Sequence, residues 1–129
     1  MTSEGRRYEG FLPGRHGIDA YGNGGFRFAE MSHRGSMLAL PSGMKAWAAT
    51  DGRALTRADL ADVLAEAAMI ELLLVGTGED LVPLSEPLRW SLREAGIAFE
   101  VMPTGAAART YNVLLAEGRR VAAALIAVA

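Results

Sequence analysis

The sequence predicts an α/β protein, and two patterns carry the prediction. The first is Ile70-Glu71-Leu72-Leu73-Leu74-Val75, an apolar run closed by Gly76-Thr77-Gly78. A short apolar stretch stopped by glycine suits a strand buried on both faces, as the middle of a parallel sheet requires. The second is the order of the downstream segments, in which helix-like and strand-like stretches alternate to give strand, helix, strand, helix, strand. Right-handed crossovers fold that order into one layer. Residues 70–75, 98–102 and 121–128 are therefore expected in one sheet, the first two as parallel neighbours.

Taken in order, residues 1–9 are polar and are expected to fray. Phe11 and Leu12, then Ile18, Ala20 and Tyr21, are short-strand or loop anchors on either side of Pro13-Gly14. Gly22-Asn23-Gly24-Gly25 is a turn, because glycine and asparagine tolerate positive φ. Phe26 and Phe28 alternate with Arg27, as in a strand with one wet face, so a hairpin is expected here. Residues 37–41 and 45–49 are two further strands around Ser42-Gly43, and Asp51-Gly52 turns the chain. The N-terminal β part is expected to pack on the rest through Phe26, Phe28 and Trp47.

Leu60, Val63, Leu64, Ala67 and Ala68 fall on one helical face, giving a helix over 57–68 with Thr56 capping and Asp59 at the positive end of the dipole. Ser85 as cap, Pro87 in the first turn and Gly96 just past the end delimit a helix over 86–95. Residues 98–102 form the next strand, which Pro103-Thr104-Gly105 ends. Ala107, Tyr111, Leu114 and Leu115 then share a helical face, leaving Arg109 and Asn112 elsewhere on the surface, and Gly118 stops this helix. The run from Val121 to Ala129 reads as an interior strand, since it is far shorter than the ~20 residues a membrane-spanning helix needs.

Composition bounds the function. At 129 residues, with no linker, repeat or compositional break, the chain is expected to form a single domain over 1–129. Thirteen Lys plus Arg against 15 Asp plus Glu, a net charge of −2, create no field that draws in polyanions, so no nucleic-acid partner is expected. The absence of cysteine excludes disulfides, thiol nucleophiles and cysteine-held zinc or iron–sulfur sites. Arg6-Arg7 is followed by Tyr8-Glu9-Gly10 where a signal peptide needs its apolar region, and a cytoplasmic location is expected.

Catalytic patterns are weak. No serine lies in a Gly-x-Ser-x-Gly elbow, and His16 and His33 are too far apart for a helical metal pair, although they are free to meet in space. Glu79-Asp80 reads as solvated loop charge, and Met31, Met37, Met44, Met69 and Met102 as core filler. No catalytic residue, metal or cofactor is expected. Gly76-Thr77-Gly78 resembles the start of a dinucleotide loop, but it lacks a third glycine and is followed by two carboxylates that repel phosphate. A tight turn is the stronger reading.

The best cleft comes from topology. Gly76, Thr77 and Gly78 lie at the carboxyl end of one strand and Thr104 and Gly105 at that of the next, where α/β sheets commonly bind ligands. Thr104 and Gly105 open a helix whose free amides favour an anion, and Arg109 adds charge. The plainer alternative is that Thr104 caps this helix and Arg109 pairs with a surface acid. Tyr111 is expected in the core with its hydroxyl satisfied at the edge, Asn112 on neighbouring loops, and Arg119 and Arg120 at a helix end.

Leu74-Val75-Gly76-Thr77-Gly78, Gly96-Ile97, Val101-Met102, Thr104, Ala107, Arg109-Thr110-Tyr111-Asn112-Val113-Leu114 and Glu117-Gly118-Arg119-Arg120-Val121 together resemble the Mth938-like family. This family is typified by a methanogen protein of unknown function and by mitochondrial complex I assembly factor 3. The resemblance runs over residues 8–128 and is strongest over 70–121. It implies a three-layer α/β fold with a mixed central sheet and a small additional β layer. It also implies a non-catalytic protein-binding role, since the mitochondrial member assists assembly of the peripheral arm of NADH:ubiquinone oxidoreductase. On that reading the partner is another protein, the helix bearing Arg109 and Asn112 is the first place to look for its contact, and a homo-oligomer is compatible. The alternative is a small-anion or small-ligand binding protein or enzyme using Gly76, Thr77, Gly78, Thr104, Gly105 and Arg109.

Overall fold

The computed structural model describes residues 8–129. Nine strands form two sheets among these residues. The larger contains β1 (Phe11–Pro13), β5 (Met37–Ala39), β6 (Gly43–Ala46), β7 (Leu72–Gly76), β8 (Ala98–Met102) and β9 (Val121–Leu125), in the order β1-β6-β5-β9-β7-β8. The smaller is the antiparallel meander β2 (Ala20–Gly22), β3 (Gly25–Phe28) and β4 (Met31–Arg34). The large sheet is mixed: β7 runs parallel to both β8 and β9, whereas β9 runs antiparallel to β5. The expected α/β architecture with its smaller N-terminal sheet is therefore present.

The crossovers are α2 (Glu86–Glu94), between β7 and β8, and α3 (Thr104–Ala116), between β8 and β9. Both end in glycine, as expected. Gly96 and Gly118 have φ of 78° and 79°, and the following amides reach back, Ile97 N to Leu92 O and Arg119 N to Leu114 O, both at 3.0 Å. These are Schellman closures, which satisfy carbonyls that the helix end leaves free. Ser85 stands at the N-cap of α2, but its hydroxyl makes no capping bond.

Successive residues of β7 point to opposite faces, and each face has its own core. Leu73 and Val75 meet Trp47, Leu60, Val63, Leu88 and Leu92 on one side. Leu74 meets Phe26, Phe28, Met37, Met44 and Tyr111 on the other. Each large side chain so buried contributes roughly 1.5–3 kcal/mol. Phe26, Phe28 and Trp47 all pack on the C-terminal half as expected, Trp47 on the opposite side of the sheet from the two phenylalanines. Trp47 lies just past β6, with its indole N–H donating to the Asp59 carbonyl at 2.7 Å.

That bond bears on the segment expected as one helix over 57–68. It is instead a 3-10 turn at Arg57–Leu60, a five-residue α1 (Ala61–Ala65) and a second 3-10 turn at Ala67–Met69. Trp47 occupies the Asp59 carbonyl, which a continuous α-helix offers to the amide four residues on. Downstream, the Glu66 carboxylate accepts the Ser42 amide at 2.9 Å, tying this end to the β5–β6 turn. The Thr56 amide donates to Asp59 Oδ2 at 2.8 Å, so the expected pair does close the first turn.

Strand ends also shift. Ile70, already extended, caps the 3-10 turn with its amide on Ala67 O, and β7 begins at Leu72 and runs through Gly76. β9 stops at Leu125, and the amides of Ile126 and Ala127 go to Gly76 O and Ser36 Oγ, both at 2.9 Å. Met37 and Met44 are core residues, but Met69 is exposed. Arg119 pairs with Glu71 at 3.2 Å and holds that carboxyl below its usual range. Of residues 1–9, expected to fray, 1–7 lie outside the described residues. Tyr8, by contrast, is packed edge-on against Phe28 and His33.

Candidate functional site

The carboxyl ends of β7, β8 and β9 converge on Thr104. Its amide donates to Gly78 O at 2.8 Å, its hydroxyl accepts the Gly78 amide at 2.9 Å, and that hydroxyl donates to Ile126 O at 2.7 Å. Thr104 is fully buried and bonds three segments together rather than capping α3, correcting the cap expected from sequence. Gly76 makes the approach possible: a Cβ there would lie 2.9 Å from Thr104 Cα and from Leu125 Cδ2. Thr77 closes the next loop. Its amide donates to Met102 O at 2.9 Å, and its hydroxyl donates to Asp80 O at 2.7 Å while accepting the Val82 amide at 3.0 Å.

Four of the sequence-selected residues, Gly76, Thr77, Gly78 and Thr104, are thus brought together, Gly78 and Thr104 bonding each other and Gly76 and Thr77 bonding the backbone of neighbouring segments. Gly105 and Arg109 stand apart. The Tyr21 ring lies against Gly105, where an added Cβ would sit 2.7 Å from Tyr21 Cζ, and Arg109 Nη1 donates to the Tyr21 hydroxyl at 3.2 Å. Arg109 therefore bonds an aromatic hydroxyl and not the surface acid suggested as the alternative; among the described residues the ion pairs are Lys45–Asp62 and Arg119–Glu71. Tyr21 covers the first turn of α3.

Further along α3, Asn112 and Tyr111 clasp the segment before β2. Tyr111 donates to His16 O at 3.0 Å, and Arg15 Nη1 donates to Val121 O at 3.0 Å. Asn112 accepts the Ile18 amide at 2.7 Å and donates to the Ile18 carbonyl at 2.8 Å, completing both backbone groups of one residue as a strand neighbour would. Tyr111 is buried as expected, and burial pushes its phenol up to about 12, with Arg15 opposing. His16 and His33 do not meet: each binds a nearby carbonyl, Pro13 O and Ser36 O respectively.

A groove of about 350 Å³ lies elsewhere, on the three-stranded sheet, lined by Tyr21, Asn23, Arg27, Ser32 and Arg34 over the glycines of the β2–β3 turn. Sequence reading places Arg27 on a wet face but has no means of adding Arg34. The two become neighbours only through strand register, which sets Arg27 opposite Ser32 and Gly25 opposite Arg34.

The fold and this arrangement define a small Mth938-like α/β protein whose strand-end loops are locked around a buried threonine. Residues 18–126 match the family described as a protein of unknown function (DUF498/DUF598), and the chain belongs to that family. A Bartonella henselae protein described as an outer membrane protein has a similar crystal structure, with 55% identity, a TM-score of 0.89, and coverage of 92% of this chain and 99% of that one. A Bordetella pertussis Mth938-like domain solved by NMR is 30% identical with a TM-score of 0.76, over 87% of this chain and 85% of the other. Among curated relatives, a Rhodobacter capsulatus protein is 43% identical over 92% of this chain and 87% of its own length. Human NADH dehydrogenase [ubiquinone] 1 alpha subcomplex assembly factor 3 is 32% identical over 84% of this chain, which spans only 59% of that protein. No helix among the described residues is long and apolar enough to cross a membrane.

Proposed function

We propose that this protein is a non-catalytic, single-domain binding module of the assembly-factor kind, which works in the cytoplasm and docks another protein through the surface around Tyr21, Arg109 and Val113. The observation that carries the reading is the state of the strand-end cleft: Gly78 and Thr104 bond each other, the Thr104 hydroxyl also donates to Ile126 O, the Thr77 hydroxyl is taken up by Asp80 O and the Val82 amide, and Tyr21 covers Gly105. Outside it, Tyr21 and Val113 are 41% and 56% exposed, and the exposed Arg109 donates to the Tyr21 hydroxyl. Tyrosine and arginine are among the residue types that carry most binding energy at protein interfaces. Similarity to a protein named as an assembly factor supports the same reading.

The test is affinity capture at native expression with wild type and with Tyr21→Ala, Arg109→Ala and Val113→Asp. Loss of one specific partner with an unchanged melting temperature is expected. Partner capture undiminished in all three variants would remove this surface. Reproducible turnover by purified protein, lost on replacing Thr77 or Arg109 without unfolding, would instead establish the small-ligand or enzyme alternative.

A further inference from the structure

We infer that the groove on the outer face of the three-stranded sheet receives a carboxylate-bearing segment of a protein partner, held between Arg27 and Arg34. This deepens the protein-binding reading and rests on it. Register places Ala20, Arg27 and Ser32 in one cross-strand row and Gly22, Gly25 and Arg34 in the next, all pointing away from the core that Phe26, Phe28 and His33 enter. Arg27 and Arg34 are therefore diagonal neighbours, with side chains starting roughly 7–8 Å apart. Gly22 and Gly25 put no side chain beside Arg34, which opens the trough. Gly25 has no alternative residue, because any Cβ would collide with the His33 carbonyl of β4.

Charge selects the occupant. Both arginines are exposed, and among the described residues neither forms an ion pair. Arg27 Nη1 donates to Ser32 Oγ at 2.6 Å, which engages one N–H of an exposed guanidinium that has five. The nearest acids along the chain, Asp19 and Glu30, do not neutralise either group within ion-pair distance. Two like charges on adjacent rows repel, and a carboxylate accepting from both forks relieves that repulsion while gaining charge-assisted hydrogen bonds. Ser32 and Asn23 supply further polar groups along the trough. A nucleic acid fits less well, since two arginines on a chain of net charge −2 neutralise too few phosphates to drive binding by counterion release.

The test is fluorescence anisotropy with the full chain and a labelled peptide of alternating Glu and Gly, against a Gln-Gly peptide of equal length and a short single-stranded DNA. Saturable binding of the Glu peptide is expected, weakened about tenfold in R27Q/R34Q and unchanged in R119Q, whose arginine serves the distant Glu71. The exposed positions should leave the melting temperature of R27Q/R34Q intact, and R34E provides a second variant with a larger loss. Equal binding of the Gln peptide, equal affinity of R27Q/R34Q, or preference for DNA would each overturn the inference. Capture of a partner that is lost in Tyr21→Ala yet retained in R27Q/R34Q would sink the groove and keep the binding module. Absence of any captured partner, even with peptide binding, would sink the binding module and with it the protein occupant of the groove.

Discussion

Thr104 has one hydroxyl and meets two buried backbone groups, the Gly78 amide and the Ile126 carbonyl. Replacing it with alanine strands both, and a buried unsatisfied group costs about 1–3 kcal/mol. Thr104→Ala should therefore lower stability by about 2–4 kcal/mol in urea unfolding, whereas Thr104→Ser, which keeps the hydroxyl, should lose much less. A simple N-cap would lose about 0.5–2 kcal/mol, so the size of the effect separates the two roles. Tyr111 supplies a pH signature. Its folded phenol titrates at about 12, above the ordinary value near 10 that the unfolded chain shows. The folded state then holds its proton where the unfolded state releases it, so stability is unaffected below pH 10 and falls as pH rises from about 10 to 12. Tyr111→Phe should flatten this alkaline loss by up to about 2–3 kcal/mol, while costing about 0.5–1.5 kcal/mol at neutral pH for the lost bond to His16 O.

At the level of elements, residues 15–18 are held to α3 and β9 by side chains standing in for a strand partner. Asn112 completes both backbone groups of Ile18, while Tyr111 and Arg15 fasten either side. Asn112→Ala should free the Ile18 amide, so native-state hydrogen exchange there should accelerate by about 10–100-fold through local opening while the β7 amides keep global protection. Uniform acceleration would mean instead that the strap and the sheet open together. The broken helix between Thr56 and Met69 shows the converse. An apolar face at helical spacing was present, yet a tryptophan from β6's end took the Asp59 carbonyl, and the Glu66 side chain tied the segment to the β5–β6 turn.

Over the whole molecule, β9 joins the parallel and antiparallel halves, with β7 on one side and β5 on the other. Its Ala122, Ala123 and Ala124 are fully buried, and both cores reach it. Deleting residues 1–49 removes β5 and β6, exposes the hydrogen-bonding edge of β9, and strips Met37, Leu38 and Met44 from the core. The fragment 50–129 should not fold as a monomer, showing a lost cooperative transition and aggregation by size exclusion. A cooperative monomeric fragment would make the C-terminal half an independent unit and overturn the single-domain reading.

The sequence by itself determined the elements of the second half, because their signals are local. An apolar run needs only its own residues to declare a doubly buried strand, and Gly96 and Gly118 stop helices by their own backbone freedom. It also located Gly76, Thr77, Gly78 and Thr104 at neighbouring strand ends. Only the tertiary structure decided that Thr104 bonds Ile126, 22 residues on, that Trp47 enters the core opposite Phe26, and that Arg34 joins Arg27 at a groove. Those outcomes depend on strand order and register, which are set when distant apolar faces find their partners, and no local spacing encodes which distant residue will arrive.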